Sequence, residues 1–193
     1  MPFRAFLDAN VLVEARQRDV LLSLAEAGLF DPLWSPLAIE EMLRHLPRSM
    51  SAESRAALLA AMSTAFPEAK VEWPGAVSID VALSINEKDR HIVASAIWAR
   101  SGVLVTNDAA LRAELERSGL LDAQAPAEFV AYAIDVDPAE AREALLVMVR
   151  DRWLVGNEDA EQADEDLVLR LTGWMRQRAG WSVAASLLES ASN

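Results

Sequence analysis

Short apolar runs alternate with stretches in which apolar residues recur every three or four positions, and each kind predicts a different element. Phe3 to Leu7 is an apolar run that ends in Asp8-Ala-Asn, the pattern of a buried strand closing into a polar turn. Asn10 is placed to cap a following helix. Asp19 is placed to cap another that runs through Leu21, Leu22 and Leu24 to Gly28. Ser35-Pro36 reads as an N-cap and first-turn proline, opening a helix that carries Glu40 and Glu41. Ser51 opens an alanine-rich helix to about Phe66. Val71 to Trp73 has the content of a short strand, and Val77 to Leu83 fits either type. Glu87 to Ser101 is helical by composition and stops at Gly102. Val103 to Thr106 then reads as a buried strand, and Asn107-Asp108 closes it and caps a helix from Ala109 to Arg117, before Gly119.

This alternation predicts an α/β fold with a parallel sheet covered by helices. In such sheets ligands sit at the carboxyl ends of strands, and both Asp8 and Asp108 fall there. From about Asp135 the pattern changes. Pro138 to Trp153, Ala163 to Arg178 and Trp181 to Glu189 read as helices with no strand between them. The bend over Gly156 to Asp166 is rich in acids and reads as solvated. The expected organisation is an α/β domain over 1–134 and an all-helical C-terminal extension over 135–193.

Composition narrows the function. The chain has 193 residues, 52% apolar and 25% charged, as expected of a globular protein rather than a disordered or fibrous one. The longest uncharged stretch, Ala56 to Pro67, is too short for a bilayer, which needs about 20 residues. Arg4, Asp8 and Glu14 occupy the place where an export signal would have its apolar run. The absence of cysteine removes disulfides, thiolate metal sites and cysteine nucleophiles. A cytoplasmic protein with no membrane association is the expectation. The net charge of −12 argues against broad electrostatic capture of nucleic acid, so any enzyme acting on it must gather its few cations near the site.

Four acids stand out by position: Asp8 and Asp108 at strand ends, Glu41 on a helix, and Asp89 near a helix start. Taken singly, each also suits a cap or turn. Gathered together they form an oxygen-rich pocket whose charge needs divalent cations, and Mg²⁺ suits a few carboxylates with retained waters. Such a site activates water and stabilises a leaving oxygen in phosphodiester hydrolysis. With only His45 and His91 and no cysteine, an ordinary zinc site is not expected.

The run Phe6-Leu-Asp8-Ala-Asn10-Val-Leu12 resembles the opening of PIN-domain ribonucleases, particularly the toxins of VapBC-type toxin–antitoxin pairs. Trp34-Ser35 with Ile39-Glu40-Glu41-Met42 is similar to the helix that bears their second acid. Lys88-Asp89-Arg90-His91-Ile92-Val93-Ala94 and Val103-Leu-Val-Thr106-Asn107-Asp108 resemble the third and fourth blocks, in the family's order. The resemblance covers residues 1 to about 130. It implies a PIN-like, Rossmann-like small parallel sheet flanked by helices and a Mg²⁺- or Mn²⁺-dependent endoribonuclease. The implied catalytic and metal-ligating residues are Asp8, Glu41, Asp89 and Asp108, supported by Asn10 and Thr106. Glu41 is preferred to Glu40 by its distance from Ser35. It also implies an RNA substrate, a cognate antitoxin protein and a homodimer. Arg44, Arg48, Lys88 and Arg90 are candidate RNA contacts, against the plainer reading of solvated helix faces. Trp98, Trp153, Trp174 and Trp181 read as core or interface residues. Two alternatives remain: a catalytically silent PIN-like interaction module, and a phosphatase of the haloacid dehalogenase kind. The latter wants a second aspartate where this chain has Asn10.

Overall fold

The run Arg4–Leu7 forms β1, with Ala5, Phe6 and Leu7 fully buried. In the structure, a computed structural model, residues 3–154 and 163–191 are described. Contacts divide the chain into a sheet unit, Met1–Arg18 with Asp31–Ala125, and a helical unit, Asp19–Phe30 with Pro126–Asn193. The boundary expected at 134/135 therefore falls inside a helix, and twelve residues from near the N-terminus belong to the helical unit.

In the sheet unit, β1 is followed by the single turn α1 (Ala9–Leu12) and by α2 (Ala15–Glu26), which continues into the helical unit. Next come β2 (Asp31–Leu33), α3 (Pro36–His45), α4 (Ala52–Ala65) and α5 (Ile79–Ser84). A 3-10 turn, Glu87–Asp89, leads into α6 (Arg90–Trp98), then β3 (Val103–Val105), α7 (Ala109–Ser118) and β4 (Ala123–Gln124). The strands form a four-stranded parallel sheet in the order β2-β1-β3-β4. The chain leaves β1 for β2 on one side and returns as β3 on the other. The strand order thus reverses at the β1–β3 pair, where open α/β sheets bind ligands.

Local chemistry sets the ends of these elements. Ser35, Ser51 and Ser78 each accept an amide at the start of α3, α4 and α5. Asp108 does the same for α7, which stops at Gly119 with φ of 64°, a backbone that glycine tolerates best. One face of the sheet packs Phe6, Leu33 and Leu104 on Val81, Ile92 and Leu111. Each such buried side chain contributes about 1.5–3 kcal/mol.

Several expectations change. Asn10 lies inside α1 rather than capping it, and Asp19 lies inside α2. Val71 to Trp73 is not a strand: pairing is limited to one bridge, Trp34 with Lys70, before Pro74-Gly75 turns the chain away. Val77 to Leu83, whose pattern fits either type, falls largely in α5.

The helical unit contains the end of α2 with α8 (Pro126–Val136), α9 (Pro138–Met148), a wide π-type turn Val149–Trp153, α10 (Asp164–Arg176) and α11 (Ser182–Ser190). Phe30 meets Phe129 edge to face at 4.8 Å. Trp153, Trp174 and Trp181 form a chain of edge contacts at 5.3 and 5.1 Å. Trp98 is not in the core: it is 59% exposed. The acidic bend expected over Gly156 to Asp166 lies mostly outside the described residues. Its end opens α10, where Asp164, Glu165 and Asp166 oppose the positive end of the helix dipole. Among the described residues no helix is long and apolar enough to cross a membrane.

Candidate active site

Asp8 follows the last residue of β1, and its amide donates to the Val105 carbonyl of β3 at 3.1 Å. The register Leu7 to Val105 makes Thr106 its neighbour across the strands. Both side chains stand at the carboxyl edge where the strand order reverses, and both are buried: Asp8 is 8% exposed and Thr106 fully enclosed.

A buried carboxylate needs hydrogen-bond donors. Asp8 Oδ2 accepts from the Thr106 hydroxyl and from Asn10 Nδ2, each at 2.6 Å. Asn10 Nδ2 also lies 3.0 Å from Thr106 Oγ1, which accepts the Asp108 amide at 3.1 Å. Asn10 is held by Asn107, whose amide donates to Asn10 Oδ1 and whose Nδ2 donates to the Asn10 carbonyl. Arg112 Nη1 ties the Thr106 carbonyl at 2.7 Å. Segments 97 residues apart are locked around one carboxylate.

Glu41 on α3 and Asp89 at the start of α6 lie near enough to Asp8 to act on it electrostatically. Burial first, and then these two negative neighbours, push the Asp8 carboxyl above its usual range; the Thr106 hydrogen bond pulls the other way. Asp89 is also raised, chiefly by burial, against the pull of Lys88. Glu40, one residue before Glu41, instead lines an apolar groove with Trp34, Ile39, Leu43, Met62 and Phe66. Among the described residues, no three histidine, aspartate or glutamate side chains stand together as a metal-ligand group.

Asp108 is engaged twice. Its Oδ1 caps α7 through the Ala110 and Leu111 amides at 2.8 and 3.1 Å, and these bonds, led by the Leu111 amide, hold its carboxyl below the usual range. Its Oδ2 lies 3.3 Å from Lys88 Nζ, which also sits 3.4 Å from Asp89 Oδ2. One exposed ammonium thus bridges two of the four acids. The turn that carries Asp89 is anchored by Asn86, whose backbone amide and side-chain amide donate to Glu114 on α7.

Of the candidate RNA contacts, Arg44 and Arg48 are exposed at and beyond the end of α3. Lys88 is committed to the acids, and Arg90 donates through Nε to the Ile85 carbonyl at 2.9 Å. Sequence reasoning missed Asn107, Arg112 and Glu114 as supports. The one available signal was Arg112 at four residues beyond Asp108, on the same helix face. Asn10 acts here as a donor, and its amide offers no acidic proton for the phosphatase alternative.

No protein-family model, curated protein or solved structure matches the chain.

Proposed function

We propose that the protein is a divalent-metal-dependent endoribonuclease of the PIN type, cutting RNA at the carboxyl edge of β1 and β3. The observation that carries this reading is the buried Asp8 at the point of strand-order reversal, held by Thr106 and Asn10 and flanked by Glu41 and Asp89. Four acids against one bridging lysine leave an excess of negative charge that a cation relieves.

The donor set suits Mg²⁺ or Mn²⁺: every acidic donor is a hard oxygen, and Mg²⁺ is held by one or two carboxylates while keeping several waters. A closed protein cage is not required. Asp8 and Asp89 are the residues that would hold the ion, with Glu41 and Asp108 nearby. When bound, such an ion lowers the pKa of water and stabilises charge on the phosphate oxygens. The chain's own residues orient and neutralise. Thr106 and Asn10 fix the Asp8 carboxyl, and the Thr106 hydrogen bond favours its ionised form against burial. Lys88 is exposed enough to swing from the acids to a phosphate of the incoming strand, and Arg44 and Arg48 extend the cationic rim. Restraint by a cognate antitoxin, a homodimeric state and a cytoplasmic location belong to the same proposal.

A second reading, a silent PIN-like interaction module, draws on the same lysine: with Lys88 on Asp89 and Asp108, half of the acids already have a partner. Cleavage decides between them. Total RNA is incubated with the wild type and Asp8→Asn, with Mg²⁺, Mn²⁺ or chelator, and new 5′ ends are mapped. Metal-dependent cuts at discrete sites, absent from the variant, support the nuclease. No cuts by the wild type, or equal cuts by both, refute it.

A further inference from the structure

The charge of the chain is unevenly divided. The helical unit has fifteen acids against six basic residues, a net −9, whereas the sheet unit has fifteen against twelve. Within the helical unit, a groove of about 310 Å³ runs between the end of α2 and α9. Its floor is apolar, from Ala27, Ala144, Val147 and Met148, and Val147 is 45% exposed. Glu26, Glu140, Glu143 and Asp151 form its rim, with Arg152 as the one cation among them.

Helix stability accounts for only part of this rim. Glu140 stands in the first turn of α9, where the dipole favours an acid. Asp151 follows the carboxyl end of α9, where the dipole disfavours one. Glu26 is paired with Arg152 at 2.8 Å, but among the described residues Glu140, Glu143 and Asp151 are in no ion pair. A further observation points to a ligand. Ser23 lines the groove, is 4% exposed, and its hydroxyl has no hydrogen-bond partner among the described residues. Such buried orphans are rare in native proteins and cost about 1–3 kcal/mol.

We propose that the groove between α2 and α9 is a docking site for a basic segment of a partner protein. That segment lays apolar side chains on Ala144, Val147 and Met148 and directs arginine or lysine to Glu140, Glu143 and Asp151. Charge complementarity selects the occupant. Nucleic acid and anionic lipid are repelled by the rim, and a second copy of this chain would bring an equally acidic helical unit. Glu140, Glu143 and Val147 follow one face of α9, with Asp151 in the turn beyond its end, which suits a segment lying along α9. This site is separate from the acids around Asp8, and its test does not depend on nuclease activity.

The test uses the full-length protein and a short fluorescein-labelled peptide alternating arginine and leucine, with a glutamate-for-arginine peptide as control. Anisotropy is read at low and moderate salt. Binding to the wild type is expected. The combined variant Glu140→Gln, Glu143→Gln, Asp151→Asn should weaken it by about tenfold or more. Asp135→Asn with Glu165→Gln, two exposed acids outside the groove, should change it by less than about twofold. Val147→Arg keeps every acid and should also weaken binding, so the outcome does not hang on one variant's folding. No binding to the wild type at low salt overturns the proposal. So does equal loss in the groove and control variants, or equal binding of the acidic peptide.

Discussion

At the residue scale, Asp8 ties sequence to chemistry, because its ionised form is costly to the fold. Its carboxyl is raised above the ordinary value of 3.8, first by burial and then by Glu41 and Asp89. A carboxyl raised in the folded state stabilises the protein while protonated; that contribution is complete below the unfolded pKa and lost as pH rises through the folded one. In metal-free buffer at neutral pH, Asp8→Asn should therefore melt at a higher temperature than the wild type. The difference should vanish as pH falls below about 3.8, the ordinary carboxyl value. Thermal melts across pH check this, and a variant less stable at neutral pH would show that Asp8 is not crowded by negative charge. Lys88 is the complementary residue. Its ammonium competes with any cation for Asp89 and Asp108, so Lys88→Met should tighten Mn²⁺ binding by on the order of three- to tenfold. The same change should weaken RNA binding. Unchanged metal affinity would remove Lys88 from the site.

At the element scale, what was legible in the sequence was local. Ser35 and Ser51 start helices because a hydroxyl satisfies an amide three residues on, and Gly119 ends one because it accepts a positive φ. β2 and β4 were not legible. They span three and two residues, β2 contains Pro32, and both exist because a parallel neighbour supplies their hydrogen bonds. Pro32 is tolerated because β2 lies at the sheet edge. The six candidate site and supporting residues sit on short motifs and could be named. Asn107 and Glu114 could not, because their partners lie 97 and 28 positions away, and Arg112 carried only its spacing from Asp108 as a signal. Asp108 separates capping from chemistry. Asp108→Asn should keep α7 capped and hold the melting temperature close to wild type while reducing cleavage. Asp108→Ala should also lose about 0.5–2 kcal/mol of stability. Full cleavage by Asp108→Asn would leave this residue as a cap alone. A second test concerns the end of α6, where Arg100 holds a φ of 53° and the Ser101 amide closes back onto the Ala96 carbonyl. Arg100→Gly removes the strain of that conformation and should raise stability by up to about 1 kcal/mol, or roughly 2–4 °C. Calorimetry showing a fall would place the arginine side chain in a stabilising contact.

At the scale of the whole molecule, the chain holds two kinds of acidity. Around Asp8 it gathers on one buried carboxylate and half-buried neighbours drawn from a hundred positions of the sheet unit. In the helical unit, among the described residues, it is spread over mostly exposed positions, and the sequence marked it by the change of pattern near Asp135 and the acid-rich bend over Gly156 to Asp166. The segment 19–30 is the part no local pattern could assign, because its membership of the helical unit rests on contacts with residues more than ninety positions away. The central claim, that Asp8 anchors a divalent-cation site, is tested most directly by calorimetric titration of Mn²⁺ into the metal-free wild type and Asp8→Asn. That titration requires no knowledge of the RNA target. Saturable binding by the wild type, lost in the variant while its fold is intact, is the predicted result. Indistinguishable isotherms from the two proteins would contradict it.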